Sequence, residues 1–409
     1  MRVAFLLPDF TLSGGAGIVV QHARRLSRDH GMDVVLVPVR GRSDADWSYT
    51  GLQEVRTASL QEAASEHFDV AVATWWETAM SLFELNSKRH AYFLQLLEDS
   101  HYPERAPQRL GFQMTLGMPV RFLTAARWIR DFTEAVQPGN RALYVRSGID
   151  KEVFHSPQAL QPALSGPLRI VIEGNVDLPR KATPHALAAV RLMRNPHHVT
   201  LITGSAPRGP LAEVDEHVGG LSHGGMADVF SRSHVLLKLS RAEGMFGPPL
   251  EGFHMGCTCV VNPVTGHDDY IEHLTNGLVV DWDDPLGTAR ALDLLATDRR
   301  LLHRLRLGAL DTARSWPSWT QATAFMALAL RRIADEPAPK PAASGGTMAA
   351  LIALAIADAD TRHVAAEEAR ERNRQLLGQR AVQLGITARR YATPALRAVR
   401  AVRRRVGQR

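Results

Sequence analysis

Val235-Leu-Leu-Lys-Leu-Ser-Arg-Ala-Glu243-Gly-Met-Phe-Gly-Pro-Pro-Leu-Glu251-Gly-Phe-His-Met255 is the stretch on which the reading of this chain turns. The apolar run at 235–239 predicts a strand, and residues 248–255 predict a helix. Pro248 suits its first turn, where a missing N–H costs nothing. A second apolar run at 258–262 follows, so the stretch reads as strand, loop, helix and strand, the unit of a parallel sheet.

Working outward, short apolar runs continue in both directions. Strands are expected at 168–173, 199–202 and 278–281, with helices at 183–193, 227–231 and 284–296. Residues 2–7, a helix at 17–28 and residues 33–39 form another strand–helix–strand start. Further strands are expected at 69–74, 91–94, 121–124 and 142–145, with a helix at 125–135. Strands alternating with helices predict α/β architecture, each sheet covered on both faces. Residues 156–167 turn to Pro, Gln, Ser and Gly without periodicity and read as a linker, as do residues 336–346. The organisation expected is therefore two Rossmann-like domains facing across a cleft, 1–155 and 168–335, followed by a helical, Arg-rich tail at 347–409. Ligands of such sheets bind beyond the carboxyl ends of the strands, which places the site between the domains.

Composition sets outer limits. With 409 residues, 45% hydrophobic and 22% charged, the chain is globular and long enough for two cores. Two cysteines leave no disulfide framework, and the opening residues lack a secretory leader, which predicts a cytoplasmic protein. No apolar run reaches the roughly 18 to 20 residues of a bilayer crossing; the best, 348–357, is followed by Asp358 and Asp360. The net charge of +6 is misleading as a sign of nucleic-acid binding. Residues 376–409 hold nine Arg and no Lys, Asp or Glu, leaving a body of 39 basic and 42 acidic side chains. No specific nucleic acid is expected as a partner.

Several residues could carry chemistry. Ser13-Gly14-Gly15-Ala16-Gly17 follows the first strand and enters a helix, so its N–H groups could approach an anion; a tight turn needing positive φ is the alternative. It lacks G-x-G-x-x-G and G-K-[ST], so neither a dinucleotide site nor a P-loop is indicated. Glu243 and Glu251 flank a turn into a helix, and a carboxylate with two acceptor oxygens suits a sugar diol. The alternative is a capping Glu and a solvated loop Glu. Near the helix N-terminus, the dipole is expected to favour ionised Glu251. Asp44-Ala-Asp46, Asp281-Trp-Asp283 and Asp358-Ala-Asp360 match D-x-D but read as surface carboxylates, Cys257 and Cys259 read as buried apolar residues, and no metal site is expected.

Residues 236–281 resemble the nucleotide-binding half of retaining GT-B glycosyltransferases of the E-x7-E type, glycosyltransferase family 4. The resemblance rests on Glu243 and Glu251, on Gly256-Cys-Thr-Cys-Val-Val, on the Gly266 loop with Asp269 and Tyr270, and on Asn276-Gly277-Leu-Val-Val. Arg146-Ser-Gly-Ile-Asp150 with Phe154 is similar to the family's domain junction. Tyr92-Phe-Leu-Gln95 with Glu98 is similar to a segment of the branch that includes rhamnosyltransferases. The likeness extends over residues 1–333.

The resemblance implies a GT-B fold and a metal-independent retaining hexosyltransferase without a cofactor. Its substrates would be a nucleoside diphosphate sugar, with dTDP-rhamnose the donor suggested by the branch, and a glycan or lipid-linked acceptor of cell-surface polysaccharide synthesis. It assigns catalytic roles to Glu243, Arg180 and Lys181, the last two neutralising the diphosphate. Gly15, Phe246, Gly247 and Glu251 would bind the donor, Glu251 at the ribose. Gln95, Glu98 and His101 are the acceptor-side candidates. In the family, an Arg commonly follows the Gly at the strand end; here Gly174 is followed by Asn175. A nucleotide-sugar epimerase of the same fold and a non-catalytic membrane-associated scaffold are the competing readings. In the tail, Leu396, Val399, Val402 and Val406 recur at near-helical spacing among Arg residues, which suits an anionic membrane surface and a peripheral position on the inner face of the plasma membrane.

Overall fold

The computed structural model describes residues 1–11, 13–41, 51–103, 105–155, 157, 159–163, 165–204 and 211–339. The expected tail, Asp44-Ala-Asp46 and Asp358-Ala-Asp360 lie outside the described residues.

Two parallel sheets carry the fold. The first contains β1 (Arg2–Leu7), β2 (Asp33–Pro38), β3 (Arg56–Thr57), β4 (His67–Ala73), β5 (Asn86–Leu94), β6 (Arg121–Thr124) and β7 (Leu143–Tyr144), in the spatial order β3-β2-β1-β4-β5-β6-β7. The second contains β8 (Leu168–Glu173), β9 (His197–Ile202), β10 (Glu216–Val218), β11 (Val235–Lys238), β12 (Thr258–Val261) and β13 (Gly277–Val279), in the order β10-β9-β8-β11-β12-β13. Both orders reverse once, between β1 and β4 and between β8 and β11, and it is outside such reversals that α/β sheets bind ligands.

Burial on both faces explains the unbroken apolar strands. In β1, Val3, Phe5 and Leu7 join the core under helices Gly14–His30 and Trp319–Asp335, while Ala4 and Leu6 join the core on the opposite face. The second sheet is covered likewise. This two-layered covering is what an all-parallel sheet requires.

The eleven expected strands are present to within a few residues. β3 and β10 were not anticipated: two and three residues long, they are too short for a period to show. A larger departure concerns the end of the expected 168–335 domain. Helix Trp319–Asp335 does not join the second sheet; Met326, Ala327, Leu330 and Ile333 are packed into the core of the first. The chain crosses back against the junction segment. There Ile149 bridges Ser318, the Trp316 Nε1–H donates to the Ser147 carbonyl at 3.0 Å, and the Arg146 guanidinium lies 4.8 Å from the Trp316 ring. At Gly148 a Cβ would stand 2.5 Å from the Trp319 Cα, so the crossing requires glycine.

Candidate active site

The strand ends at the second reversal carry charge. Glu173 ends β8 and Lys238 ends β11, and pairing of Ile172 with Leu237 sets the two side by side. The Lys238 ammonium, fully buried, is paired with the Glu173 carboxylate and donates to the Glu173 carbonyl at 3.2 Å. The Phe246 ring centroid lies 6.0 Å from it. Neither residue was singled out from the sequence; the available signal was a lysine inside the apolar run Val235-Leu-Leu-Lys-Leu.

Beside this pair, Lys181 donates to Glu243 Oε1 at 2.8 Å, in an ion pair that is largely buried. Lys181 ends the short turn Pro179–Lys181 after β8, and Glu243 lies in the loop after β11. The two loops are tied by the Arg241 N–H donating to the Arg180 carbonyl at 2.7 Å. The Glu243 backbone is held by Thr265, whose hydroxyl donates to the Glu243 carbonyl at 2.7 Å. Burial pushes the Glu243 carboxyl upward, but Lys181 and Lys238 more than offset it and hold it below the usual carboxylate range. Burial, reinforced by Lys238, lowers Lys181.

Helix Gly247–His254 begins at the other end of this loop. Pro248 and Pro249 carry no N–H, so of the donors a helix N-terminus leaves unpaired, those of Phe246 and Gly247 are the ones this sequence retains. The Tyr270 hydroxyl donates to the Phe246 carbonyl and holds the turn. Glu251 departs from expectation. Burial, and next the neighbouring Glu173 charge, push its carboxyl to about 7 against the pull of Lys238. Loss of hydration outweighs the helix dipole, an effect typically worth 0.3–1 kcal/mol.

Across the cleft stand the residues expected on the acceptor side. Gln95 follows β5, and its side-chain amide donates to the Gly15 carbonyl at 3.2 Å. Gly14, Gly15 and Gly17 have ordinary negative φ, which corrects the turn reading; Ser13 caps this helix by accepting from the Ala16 N–H at 3.2 Å. Glu98 lies behind the wall, 2% exposed, accepting from the Trp76 N–H at 2.5 Å. Burial, with Glu77 and Asp99 adding, holds its carboxyl well above the ordinary range, against the pull of Tyr92 and the Trp76 N–H. His101 packs edge-to-face on Trp75, with centroids 5.1 Å apart. Burial, followed by the charges of Arg180 and Lys181, lowers its imidazole to about 4, so it is neutral at pH 7 while facing the basic pair of the opposite wall.

The walls touch through glycines and an acid. A Cβ on Gly244 would come 1.6 Å from the Gln95 carbonyl oxygen, and one on Gly266 would come 2.0 Å from the Gly244 carbonyl oxygen. The Trp128 indole N–H donates to that Gly244 oxygen at 3.1 Å. Asp269 Oδ2 accepts from the Arg127 N–H and the Tyr144 hydroxyl, each at 3.1 Å. It thus caps helix Arg127–Val136, whose own N-cap residue, Ala126, has no side chain to do so.

The weaker candidates resolve simply. Asp283 pairs with Arg241 at the surface. Cys257 and Cys259 are buried free thiols in the second core, and burial pushes the Cys257 thiol up to about 12. Among the described residues there is no group of three metal-capable side chains and no helix long and apolar enough to cross a membrane.

Residues 167–298 match the family model described as glycosyl transferases group 1. No curated protein matches the chain. Among solved structures, Anabaena Alr3699/HepE in complex with UDP and glucose aligns at TM-score 0.65 and 13% identity, covering 81% of this chain and 100% of its own. Sucrose-phosphate synthase from Thermosynechococcus elongatus aligns at TM-score 0.66 and 15% identity, covering 81% and 98%. WaaG, a glycosyltransferase involved in lipopolysaccharide biosynthesis, aligns at TM-score 0.61 and 13% identity, covering 82% and 100%. The chain therefore has the two-domain α/β fold of GT-B glycosyltransferases and carries, over residues 167–298, a glycosyl transferases group 1 segment.

Proposed function

We propose that the protein transfers a hexose from a nucleoside diphosphate to a glycan or lipid-linked acceptor, with retention, in cell-surface polysaccharide synthesis. The observation that carries this reading is the Lys181–Glu243 pair, set in the loops that follow β8 and β11, beside the retained Gly247 N–H and opposite a neutral His101. Arg180, Lys181 and the Gly247 N–H would receive the diphosphate, whose negative charge grows as the glycosidic bond breaks. Glu243 would hold sugar hydroxyls and Glu251 the ribose. Departure and attack on one face need no protein nucleophile, and the site is accordingly read without one. The complexes of HepE with UDP and with UDP-glucose and the lipopolysaccharide role of WaaG support the substrate class. The likeness of Tyr92-Phe-Leu-Gln95 to the rhamnosyltransferase branch puts dTDP-rhamnose first among donors to test.

The deciding experiment is a thermal-shift series with UDP, GDP and dTDP and their hexose conjugates, followed by turnover with the best donor. A ligand bound only by the folded protein at a hundred times its Kd stabilises it by about 2.7 kcal/mol. No shift with any of them removes the reading, and an epimerised donor recovered without acceptor replaces it with the epimerase. The Arg-rich segment 376–409 is proposed to hold the enzyme at an anionic surface. Its deletion should abolish co-sedimentation with phosphatidylglycerol vesicles, and unchanged sedimentation removes that part alone.

A further inference from the structure

The loop that carries Glu243 is held by its carbonyls. The Thr265 hydroxyl donates to that of Glu243 at 2.7 Å, the Tyr270 hydroxyl donates to that of Phe246, and the Trp128 indole N–H donates to that of Gly244 at 3.1 Å. Thr265 and Tyr270 follow β12 and belong to the same wall as the loop. Trp128 does not. It stands in the first turn of helix Arg127–Val136, after β6, with its ring packed against the core of the first sheet.

We infer that Trp128 is a positioning residue for Glu243: the first domain reaches across the cleft and, through the Gly244 carbonyl, fixes the backbone from which the donor-side carboxylate projects. This rests on the reading of Glu243 as a residue that holds the donor sugar.

The approach of indole and carbonyl is made possible by glycine. A Cβ on Gly266 would stand 2.0 Å from the Gly244 oxygen and 3.2 Å from the Trp128 Nε1. Gly266 also has a φ of +80°, which side chains other than glycine's rarely adopt. The indole's mount is secured from the opposite wall, where Asp269 Oδ2 accepts from the Arg127 N–H and from the Tyr144 hydroxyl, each at 3.1 Å. One short segment therefore grips Glu243 with Thr265 and the helix bearing Trp128 with Asp269. The bond from Trp128 to Gly244 closes this ring around the Glu243–Gly244 peptide. An indole packed on its own core has a single N–H, and aiming it at one oxygen fixes where that carbonyl stands. The carbonyl belongs to the residue next to Glu243, and a misplacement of about 1 Å in an active site can cost about a hundredfold in rate.

The test uses the full chain with whichever of UDP, GDP and dTDP binds best, its Kd measured by calorimetry. Turnover of the matching hexose conjugate is read as nucleoside diphosphate released at saturating donor. Trp128→Phe keeps a ring and removes the N–H. Nucleotide Kd should stay within about twofold while turnover falls about tenfold, part of what a full 1 Å displacement costs. Tyr144→Phe loosens the same seam but leaves the Arg127 N–H on Asp269 and the Gly244 bond in place, so turnover should stay within about twofold of native. In a Glu243→Gln background, Trp128→Phe should cost less than about twofold, because a residue that acts through another then has nothing left to position.

An unchanged turnover in Trp128→Phe, an equal loss of nucleotide affinity, a matching turnover loss in Tyr144→Phe, or the same fold-loss in the Glu243→Gln background each makes Trp128 a staple between domains and no more. Any of these overturns the proposal while leaving the donor site intact. If Trp128→Phe does not fold, the benzothienyl analogue of tryptophan at this position, which keeps the shape and has sulfur in place of the N–H, decides instead. A native chain that binds none of the three nucleotides, or binds one without releasing it from any donor, overturns the reading beneath the proposal and the proposal with it.

Discussion

On the second-sheet side of the cleft, Lys181 pairs with Glu243 and Lys238 with Glu173 at adjoining strand ends. On the first-sheet side, burial holds Glu98 toward its protonated form and His101 neutral, and Gln95 turns an amide to Gly15. Both walls bury titratable groups; they differ in whether a counter-charge is buried with them. A buried charge survives only with a partner, and otherwise the group neutralises instead. The charged wall suits a ligand whose leaving group gains negative charge. The neutral wall suits hydroxyl groups, which need donors and acceptors but no counter-ion.

The largest effect should come from the charged wall. Glu243→Gln keeps the shape of the side chain and removes the charge that Lys181 answers. Turnover with the native donor should fall about 10²- to 10³-fold, the range seen when a preorganised electrostatic group is lost from an active site. Steady-state kinetics at saturating donor measure this. A variant retaining more than a tenth of native turnover would move the catalytic weight elsewhere, with Arg180 next in line.

A smaller effect is expected where the walls meet. Gly244→Ala places a methyl 1.6 Å from the Gln95 carbonyl oxygen, a distance no rotamer can relieve because both partners are backbone. The loop must retreat, at a cost of about 1–3 kcal/mol for forced overpacking. Because that loop carries Glu243, its displacement should lower turnover roughly ten- to a hundredfold. Nucleotide affinity should change less than turnover, since Lys181, Glu251 and the Gly247 N–H remain on the second wall. Equal losses in affinity and turnover would show instead that the loop serves donor binding and not the placement of Glu243 for the reaction.

How far the two walls could be read beforehand follows from the same contrast. The strand runs were legible because both faces of each sheet are buried, as alternate residues of β1 entering opposite cores illustrate. Glu243 and Glu251 stood out through the resemblance of their segment to the E-x7-E glycosyltransferases, since a carboxylate pair at that spacing is by itself common. Lys238 and Glu173 did not, since each is one charged residue in an apolar strand, and only the pairing of β8 with β11 brings them together. The cap that Asp269 provides to helix Arg127–Val136 is likewise non-local, 142 residues away in sequence. The return of helix Trp319–Asp335 to the first sheet left no mark either, because an amphipathic pattern shows that a face is buried without showing against which sheet.

The neutral wall is tested by a variant expected to do almost nothing at acid pH. Glu98 has its carboxyl raised above the ordinary 4.5, chiefly by burial. A folded state that holds a proton more tightly than the unfolded chain has its full advantage below the unfolded value and loses it as pH rises toward the folded one. Glu98→Gln removes the proton and keeps an acceptor oxygen for the Trp76 N–H. Below about pH 4 native and variant should therefore unfold within roughly 0.5 kcal/mol of each other, as benign substitutions do. Between pH 5 and 8 the native protein should lose stability relative to the variant, the gap widening with pH, as read from denaturant midpoints across that range. A gap that narrows with rising pH would mean that Glu98 is ionised and paired in the folded protein, and the neutral wall would then be charged like its partner.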